Sequence, residues 1–241
     1  MTKVIGLIGG MSWESSAEYY RLINRAVRDK LGSLRSAQIL MFSVDFGPIE
    51  RAQHEGRWIE LGEMLAAAAR RLQAGGADCV LLCTNTMHKV AHAIEGAVSI
   101  PFLHIADPVG NAAKAKGWKK LGLLGTAFTM EQDFISGRLS ERFGLEVLTP
   151  PAEDRAVVHR VIYEELCTGI IREESLNAYR RIVAGLAARG AEAVVLGCTE
   201  ISLLIRQEHT EVPLLDTTTL HAAAAVEFAL PSGGPAVAGA R

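Results

Sequence analysis

Gly76-Ala77-Asp78-Cys79-Val80-Leu81-Leu82-Cys83-Thr84 returns 114 residues later as Gly190-Ala191-Glu192-Ala193-Val194-Val195-Leu196-Gly197-Cys198. Each copy places a glycine helix stop and an acidic residue before a continuous apolar run, and a Thr or Cys behind it. Continuous apolar runs of this length suit strands covered on both sides, as in parallel sheets. Two further matches keep the same order. Gly6-Leu7-Ile8-Gly9 returns as Gly122-Leu123-Leu124-Gly125 at an offset of 116, and Ile100-Pro101-Phe102-Leu103 returns as Val212-Pro213-Leu214-Leu215 at an offset of 112. Any two β-α units share some of this look. A common order with offsets inside four residues points to a duplicated α/β chain.

Around these anchors, short apolar runs alternate with stretches of helical period. Val4–Ile8, Gln38–Val44, Cys79–Cys83, Phe102–Ile105, Leu121–Leu124, Leu145–Val147, Ala193–Leu196 and Leu214–Leu215 read as strands. Trp13–Leu31, Trp58–Ala74, Thr129–Phe143, Arg155–Leu166, Glu174–Arg189 and a last segment near Thr217–Leu230 read as helices. Ser12 is an N-cap candidate, and Gly75-Gly76, Gly144 and Gly190 are stops. The alternation predicts an α/β fold of two pseudo-symmetric, doubly wound domains with mainly parallel sheets facing a central cleft. The first half takes residues 1–110 plus 217–230 and the second 115–210. Residues 231–241, without periodicity, read as a flexible tail.

Composition narrows the function. The chain has 241 residues, 49% hydrophobic and 22% charged, with a net charge of −2 and no basic block. That balance argues against nucleic acid or an anionic membrane surface as the main partner. No apolar stretch approaches the ~18 residues of a membrane span, and the N-terminus shows no cleavable leader pattern. Four cysteines in a chain of this size fit reduced thiols in the cytoplasm.

In parallel α/β sheets, ligands bind beyond the carboxyl ends of the strands. Gly9-Gly10-Met11-Ser12, Cys83-Thr84-Asn85-Thr86, Gly125-Thr126 and Gly197-Cys198-Thr199-Glu200 occupy such places. Backbone N–H groups and hydroxyls there form anion sites suited to carboxylates. A single such segment reads equally as an N-cap; two repeat-related ones with Cys and Thr read as functional. The Gly-rich loop is neither GxGxxG nor a phosphate loop with GK[ST]. Cys79 and Cys83 on one strand lie about 13 Å apart at ~3.3 Å of rise per residue, too far to share an ion. Cys79 and Cys167 read as small core residues. His88, His92, His104, His159, His209 and His221 show no metal-ligand spacing, and His54 stands alone in a polar stretch. Lys89 as a pyridoxal phosphate anchor is less natural than a surface lysine early in a helix.

The segments GLIGGMSWESSAEYYRLIN at Gly6–Asn24, VLLCTNTMHKVA at Val80–Ala91, PFLHIADP at Pro101–Pro108, LLGTAFTMEQDF at Leu123–Phe134 and VLGCTEISLL at Val195–Leu204 resemble the aspartate/glutamate racemase family. The likeness is closest to its broad-specificity L-aspartate/glutamate amino-acid racemases and covers nearly the whole chain. The resemblance implies racemisation of a small-molecule amino acid, L-glutamate or L-aspartate. It also implies that no cofactor or metal takes part and that the protein is a homodimer. Thr84 and Cys198 then stand on opposite sides of the α-carbon, with Met11, Gln53, Thr84, Asn85, Thr86, Thr199 and Glu200 lining the substrate site. Arg51 and Arg172 are weaker candidates for the side-chain carboxylate. A related hydantoin racemase, a maleate-type isomerase or a non-catalytic amino-acid-binding module are the alternatives.

The chemistry suits two pseudo-symmetric halves. Inversion requires one group to take the proton and another to return it on the other face. A thiolate serves if its pKa falls, which a helix N-terminus favours. A closing site excludes water around the carbanion. One departure matters: the wider family has Cys directly before Asn-Thr, where this chain has Thr84, with Cys83 one residue earlier. The ungapped repeat pairs Thr84 with Cys198 and Cys83 with Gly197; pairing Cys83 with Cys198 needs a one-residue gap.

Overall fold

The computed structural model describes residues 2–32 and 34–230. The strands are β1 (Ile5–Gly9), β2 (Ile39–Ser43), β3 (Cys79–Leu82), β4 (Phe102–Leu103), β5 (Lys120–Gly125), β6 (Glu146–Leu148), β7 (Ala193–Gly197) and β8 (Leu214–Asp216). They form two all-parallel four-stranded sheets, ordered β2-β1-β3-β4 and β6-β5-β7-β8. The helices are α1 (Trp13–Leu31), α2 (Phe46–His54), α3 (Trp58–Ala74), α4 (Ala91–Glu95), α5 (Ala106–Lys116), α6 (Ala127–Glu131), α7 (Asp133–Phe143), α8 (Ala152–Glu164), α9 (Glu173–Ala188), α10 (Ile201–Leu204) and α11 (Thr217–Ala229). The described residues form two compact units: those up to His104 together with His221–Leu230, and residues 105–220. α5 goes with the second unit because Ile105, Ala106, Val109 and Ala113 pack on Leu121, Ile135 and Leu139. The reading of residues 231–241 as a tail lies outside the described residues. No helix among the described residues is long and apolar enough to cross a membrane.

The repeat is a repeat of hydrogen-bond register. Ile5 pairs with Cys79 and Val80 with Phe102; at the offsets found in the sequence, Leu121 pairs with Ala193 and Val194 with Leu214. The acid before each central strand does the same work in both units. Asp78 Oδ2 accepts from the Val4 backbone N–H at 2.6 Å, and Glu192 Oε2 accepts from Lys119 and Lys120 N–H at 2.6 and 3.0 Å. These bonds hold the Glu192 carboxyl below its ordinary pKa.

Pleating sorts the strand side chains onto two sides. In the first unit Ile5, Leu7, Cys79, Leu81 and Cys83 pack with α1 and α11, while Ile8, Val80 and Leu82 pack with α2 and α3. In the second, Leu121, Leu123, Ala193 and Val195 pack with α5 and α7, while Leu124, Val194 and Leu196 pack with α8 and α9. Strands buried on both sides explain the continuous apolar runs.

Several expected bounds change. The helix expected over Thr129–Phe143 is two: Thr126 caps α6, Gln132 is extended, and α7 starts at Asp133. The break carries the chain from the α8/α9 side of the sheet, where Met130 packs, to the α5 side, where Ile135 and Leu139 pack. α8 starts behind Pro150-Pro151 and ends at Glu164, and Leu166–Thr168 forms a 3-10 turn that leaves Cys167 exposed, not in the core. The strand expected at Phe102–Ile105 stops at Leu103. α2 and α5 lack a sequence expectation. Each has a proline, Pro48 or Pro108, at its third position, where the missing N–H has no intrahelical partner to lose.

Candidate active site

In the first unit the β1–α1 loop is built around space only glycine leaves. A Cβ on Gly9 would lie 2.6 Å from Ser16 Oγ, and one on Gly10, at φ +98°, 2.1 Å from the Val44 carbonyl oxygen. Ser16 Oγ accepts the Gly10 N–H at 2.7 Å and donates to the Ser12 carbonyl at 2.9 Å. Ser12 caps α1 by accepting from the Ser15 N–H. Ser15 Oγ in turn donates to the Cys83 carbonyl at 3.0 Å, tying α1 to the end of β3.

That end carries Cys83, Thr84, Asn85 and Thr86. Cys83 is fully buried among Tyr19, Ile23, Ala222 and Val226, and burial pushes its thiol far above the ordinary range. Cys79 is core as expected, its thiol raised by burial to about 12. Thr84 is half-buried, while Asn85 and Thr86 are buried. Met11, Met87 and Gln53 are buried together, with the Gln53 amide 2.9 Å from Met87 Sδ. Arg51 is exposed on α2. The helix expected after Thr86 begins as a 3-10 turn over Thr86–Val90, in which Lys89 is half-buried with Nζ 3.9 Å from the centre of the Trp58 ring. His54 is not alone; its Nε2 lies 3.0 Å from Glu50 Oε1.

In the second unit β7 runs through Gly197 and the next three residues are all half-buried. Cys198 Sγ donates to Glu200 Oε2 at 3.0 Å, and Thr199 Oγ1 donates to the same oxygen at 2.7 Å. Burial first, then the Glu200 charge and hydrogen bond, push the Cys198 thiol well above its ordinary pKa. The expected fall is thus reversed: α10 has only four residues, and a carboxylate stands at its N-cap. The neutral thiol is the resting form. Arg172 is exposed at the start of α9, lining a surface cavity with Arg160, Glu165 and Ser175. Glu165 is buried and accepts from Ser175 Oγ at 2.6 Å.

The strand registers make Thr84 and Cys198 equivalent positions, both half-buried, and make Cys83 equivalent to Gly197, both buried. The sequence-expected residues thus form two groups, Met11, Gln53 and Thr84–Thr86 in one unit and Cys198–Glu200 in the other.

A third gathering has no counterpart in the motif reading. His88, His104 and His221, all buried, have rings 4.5 Å (His88–His104) and 6.1 Å (His88–His221) apart. Among the described residues no three His, Cys, Asp or Glu side chains are grouped as metal ligands. His88 Nδ1 lies 2.8 Å from the Thr84 carbonyl, His221 Nε2 2.6 Å from the Leu103 carbonyl, and His221 Nδ1 2.8 Å from the Tyr19 hydroxyl. The i, i+4 spacing of Thr84 and His88 is the one sequence signal for this cluster; the contacts with His104 and His221 are long-range.

Residues 8–225 match the family described as Asp/Glu/Hydantoin racemase. A glutamate racemase of Roseiflexus sp. (strain RS-1) is 31% identical over 178 residues, which is 69% of this chain and 60% of that protein. The chain thus spans less than two thirds of that curated relative. A crystal structure assigned to the Asp/Glu racemases from Yersinia pestis superposes with a TM-score of 0.91 at 52% identity, over 95% of this chain and all of that one. An aspartate racemase homologue from Pyrococcus horikoshii OT3 gives a TM-score of 0.83 at 32% identity, over 95% of this chain and 99% of that one. The chain belongs to the Asp/Glu/Hydantoin racemase family.

Proposed function

We propose that this member of the Asp/Glu/Hydantoin racemase family inverts the α-carbon of an acidic amino acid, L-glutamate or L-aspartate. The proton passes through an unequal pair, Cys198 and Thr84, with no part for pyridoxal phosphate or metal. The observation that carries the reading is the register equivalence of Thr84 and Cys198 at the ends of β3 and β7. Cysteine at one of these positions serves no purpose in mere carboxylate binding, whereas a thiol beside a carboxylate is a base in waiting.

The steps follow from the Cys198–Glu200 contact. Glu200 takes the thiol proton through the 3.0 Å hydrogen bond, leaving a thiolate and a neutral carboxyl. The thiolate removes the α-proton of the L-enantiomer. Thr84, whose hydroxyl is far too weak an acid to be a resting base, delivers a proton to the opposite face of the carbanion, directly or through water, and regains one from solvent as Glu200 gives up the proton it took. Donors of the Thr84–Thr86 and Thr199 turns hold the substrate carboxylate, and oriented donors there stabilise the charge that develops in the transition state. Met11 and Gln53 shape the rest of the site, and Arg51 or Arg172 pairs with the side-chain carboxylate. The protein acts as a cytoplasmic homodimer.

The pair is kinetically lopsided. The equilibrium constant of a racemisation is one, so kcat/KM is equal in both directions. The D-enantiomer therefore binds tighter and turns over more slowly. Incubation of EDTA-treated protein with L-glutamate and L-aspartate in D₂O tests the reading. α-Deuteration and D-product are expected; absence of both for every acidic amino acid sinks it.

A further inference from the structure

The Thr84 turn is held by side chains at both of its peptide planes. Ser15 Oγ donates to the Cys83 carbonyl at 3.0 Å, fixing the plane before Thr84 Cα. His88 Nδ1 lies 2.8 Å from the Thr84 carbonyl, fixing the plane after it. A carbonyl only accepts, so Nδ1 carries the proton and the His88 tautomer is set. With both planes anchored, the Thr84 Cα–Cβ bond has one direction, because planar peptides leave only φ and ψ free.

The His88 ring is itself immobilised. It is 2% exposed, meets the His104 ring edge-on at 4.5 Å and lies 5.6 Å from the Phe102 ring. Behind it, His221 donates from Nε2 to the Leu103 carbonyl and accepts from the Tyr19 hydroxyl, so a second imidazole is locked. The second unit has a serine in place of this imidazole. At the equivalent position Ser202 Oγ donates to the Thr199 carbonyl at 3.0 Å, and the Cys198 carbonyl accepts the Ile201 N–H at 3.2 Å.

We propose that His88 is a positioning residue for the Thr84 half of the reaction, aiming the hydroxyl through its Nδ1–H bond to the Thr84 carbonyl. The inference rests on the racemase reading above. A misaimed hydroxyl lowers proton delivery on its own side and leaves abstraction by Cys198 unchanged. In D₂O, L-substrate that returns as α-deuterated L reports the Cys198 side, and α-deuterated D-product reports the Thr84 side. Their initial-rate ratio is the readout, since a merely structural role lowers both together.

Asn at position 88 places an amide N–H where Nδ1 stands, whereas Gln places it one atom further, where Nε2 stands. His88→Gln is expected to lower the inverted-to-retained ratio at least about 10-fold, as an ångström-scale misplacement does; His88→Asn is expected to stay within about 3-fold of the wild type. Ser15→Ala, which frees the other plane without touching the histidines, is expected to lower the ratio as well. Equal ratios in the Asn and Gln variants, or an unchanged ratio in Ser15→Ala, overturn the proposal. Absence of α-deuteration in the wild-type protein refutes the racemase reading instead.

Discussion

After β3 the first unit presents a hydroxyl, Thr84, on a turn held by Ser15 and His88; after β7 the second presents a thiol, Cys198, on a turn held by its own backbone and Ser202. The units share strand order, register and an acid that caps the first strand. They differ where chemistry is proposed. A duplicated scaffold keeps its ladder because a one-residue slip would turn every buried side chain around, while the residues beyond the last shared ladder pairs, Ile8 with Leu82 and Leu124 with Leu196, are free to diverge. The first turn gains rigid placement of a weak acid. The second gains a thiol whose proton a carboxylate can take.

The largest effect expected from breaking this contrast is Cys198→Ala. It should abolish α-proton exchange of L-glutamate and L-aspartate, a loss of about 10³-fold or more, with the circular dichroism spectrum unchanged. Retained exchange would place the base elsewhere. Making the turns alike is the converse: Thr84→Cys should raise kcat for the D-enantiomer by about 10-fold or more, with kcat/KM still equal in the two directions. An unchanged D-substrate kcat would show that Thr84 is not the limiting group.

A third change sharpens the thiol side. Removing the Glu200 charge removes one of the causes that raise the Cys198 thiol. An acid with a raised pKa ionises at higher pH, so in Glu200→Gln, which also loses the carboxylate that takes the thiol proton, L-substrate exchange should fall near neutral pH while its remaining alkaline rise moves to lower pH. A rise that stays in place or moves up contradicts the assigned cause.

The smallest effect concerns the shared scaffold. Glu192→Gln should lower Tm by no more than about 2 °C near neutral pH. The folded carboxyl has a depressed pKa, so its contribution is present above the unfolded value and is lost as pH falls through the folded one. The wild-type and variant melting curves should therefore merge in acid. A difference that persists at low pH would show that charge on Glu192 is not what the backbone N–H groups read.

Much of the scaffold was legible because buried parallel strands write continuous apolar runs and a duplication writes them twice. α1 and α3 fall where their caps and glycine stops place them. α2 and α5 were hidden by Pro48 and Pro108, whose position in the first turn makes them compatible with a helix. The break at Gln132 was invisible because apolar periodicity does not say which side of a sheet a helix faces. In the site, the pairing of Thr84 with Cys198 was readable from an ungapped offset. The raised Cys198 thiol was not, because it depends on where the Glu200 carboxylate turns. Nor was the gathering of His88, His104 and His221, which are distant in sequence and carry no ligand spacing.

The claim that Thr84, rather than Cys83, is the partner of Cys198 is most directly tested by comparing Thr84→Ala with Cys83→Ala, both verified as folded. Racemisation of each enantiomer is measured with saturating substrate. Thr84→Ala is expected to lose D-substrate turnover by about 10²-fold or more, while Cys83→Ala, a change in the packed core beside Tyr19 and Ile23, keeps turnover within about 3-fold of wild type. The reverse result, racemisation lost in folded Cys83→Ala and retained in Thr84→Ala, would contradict the account.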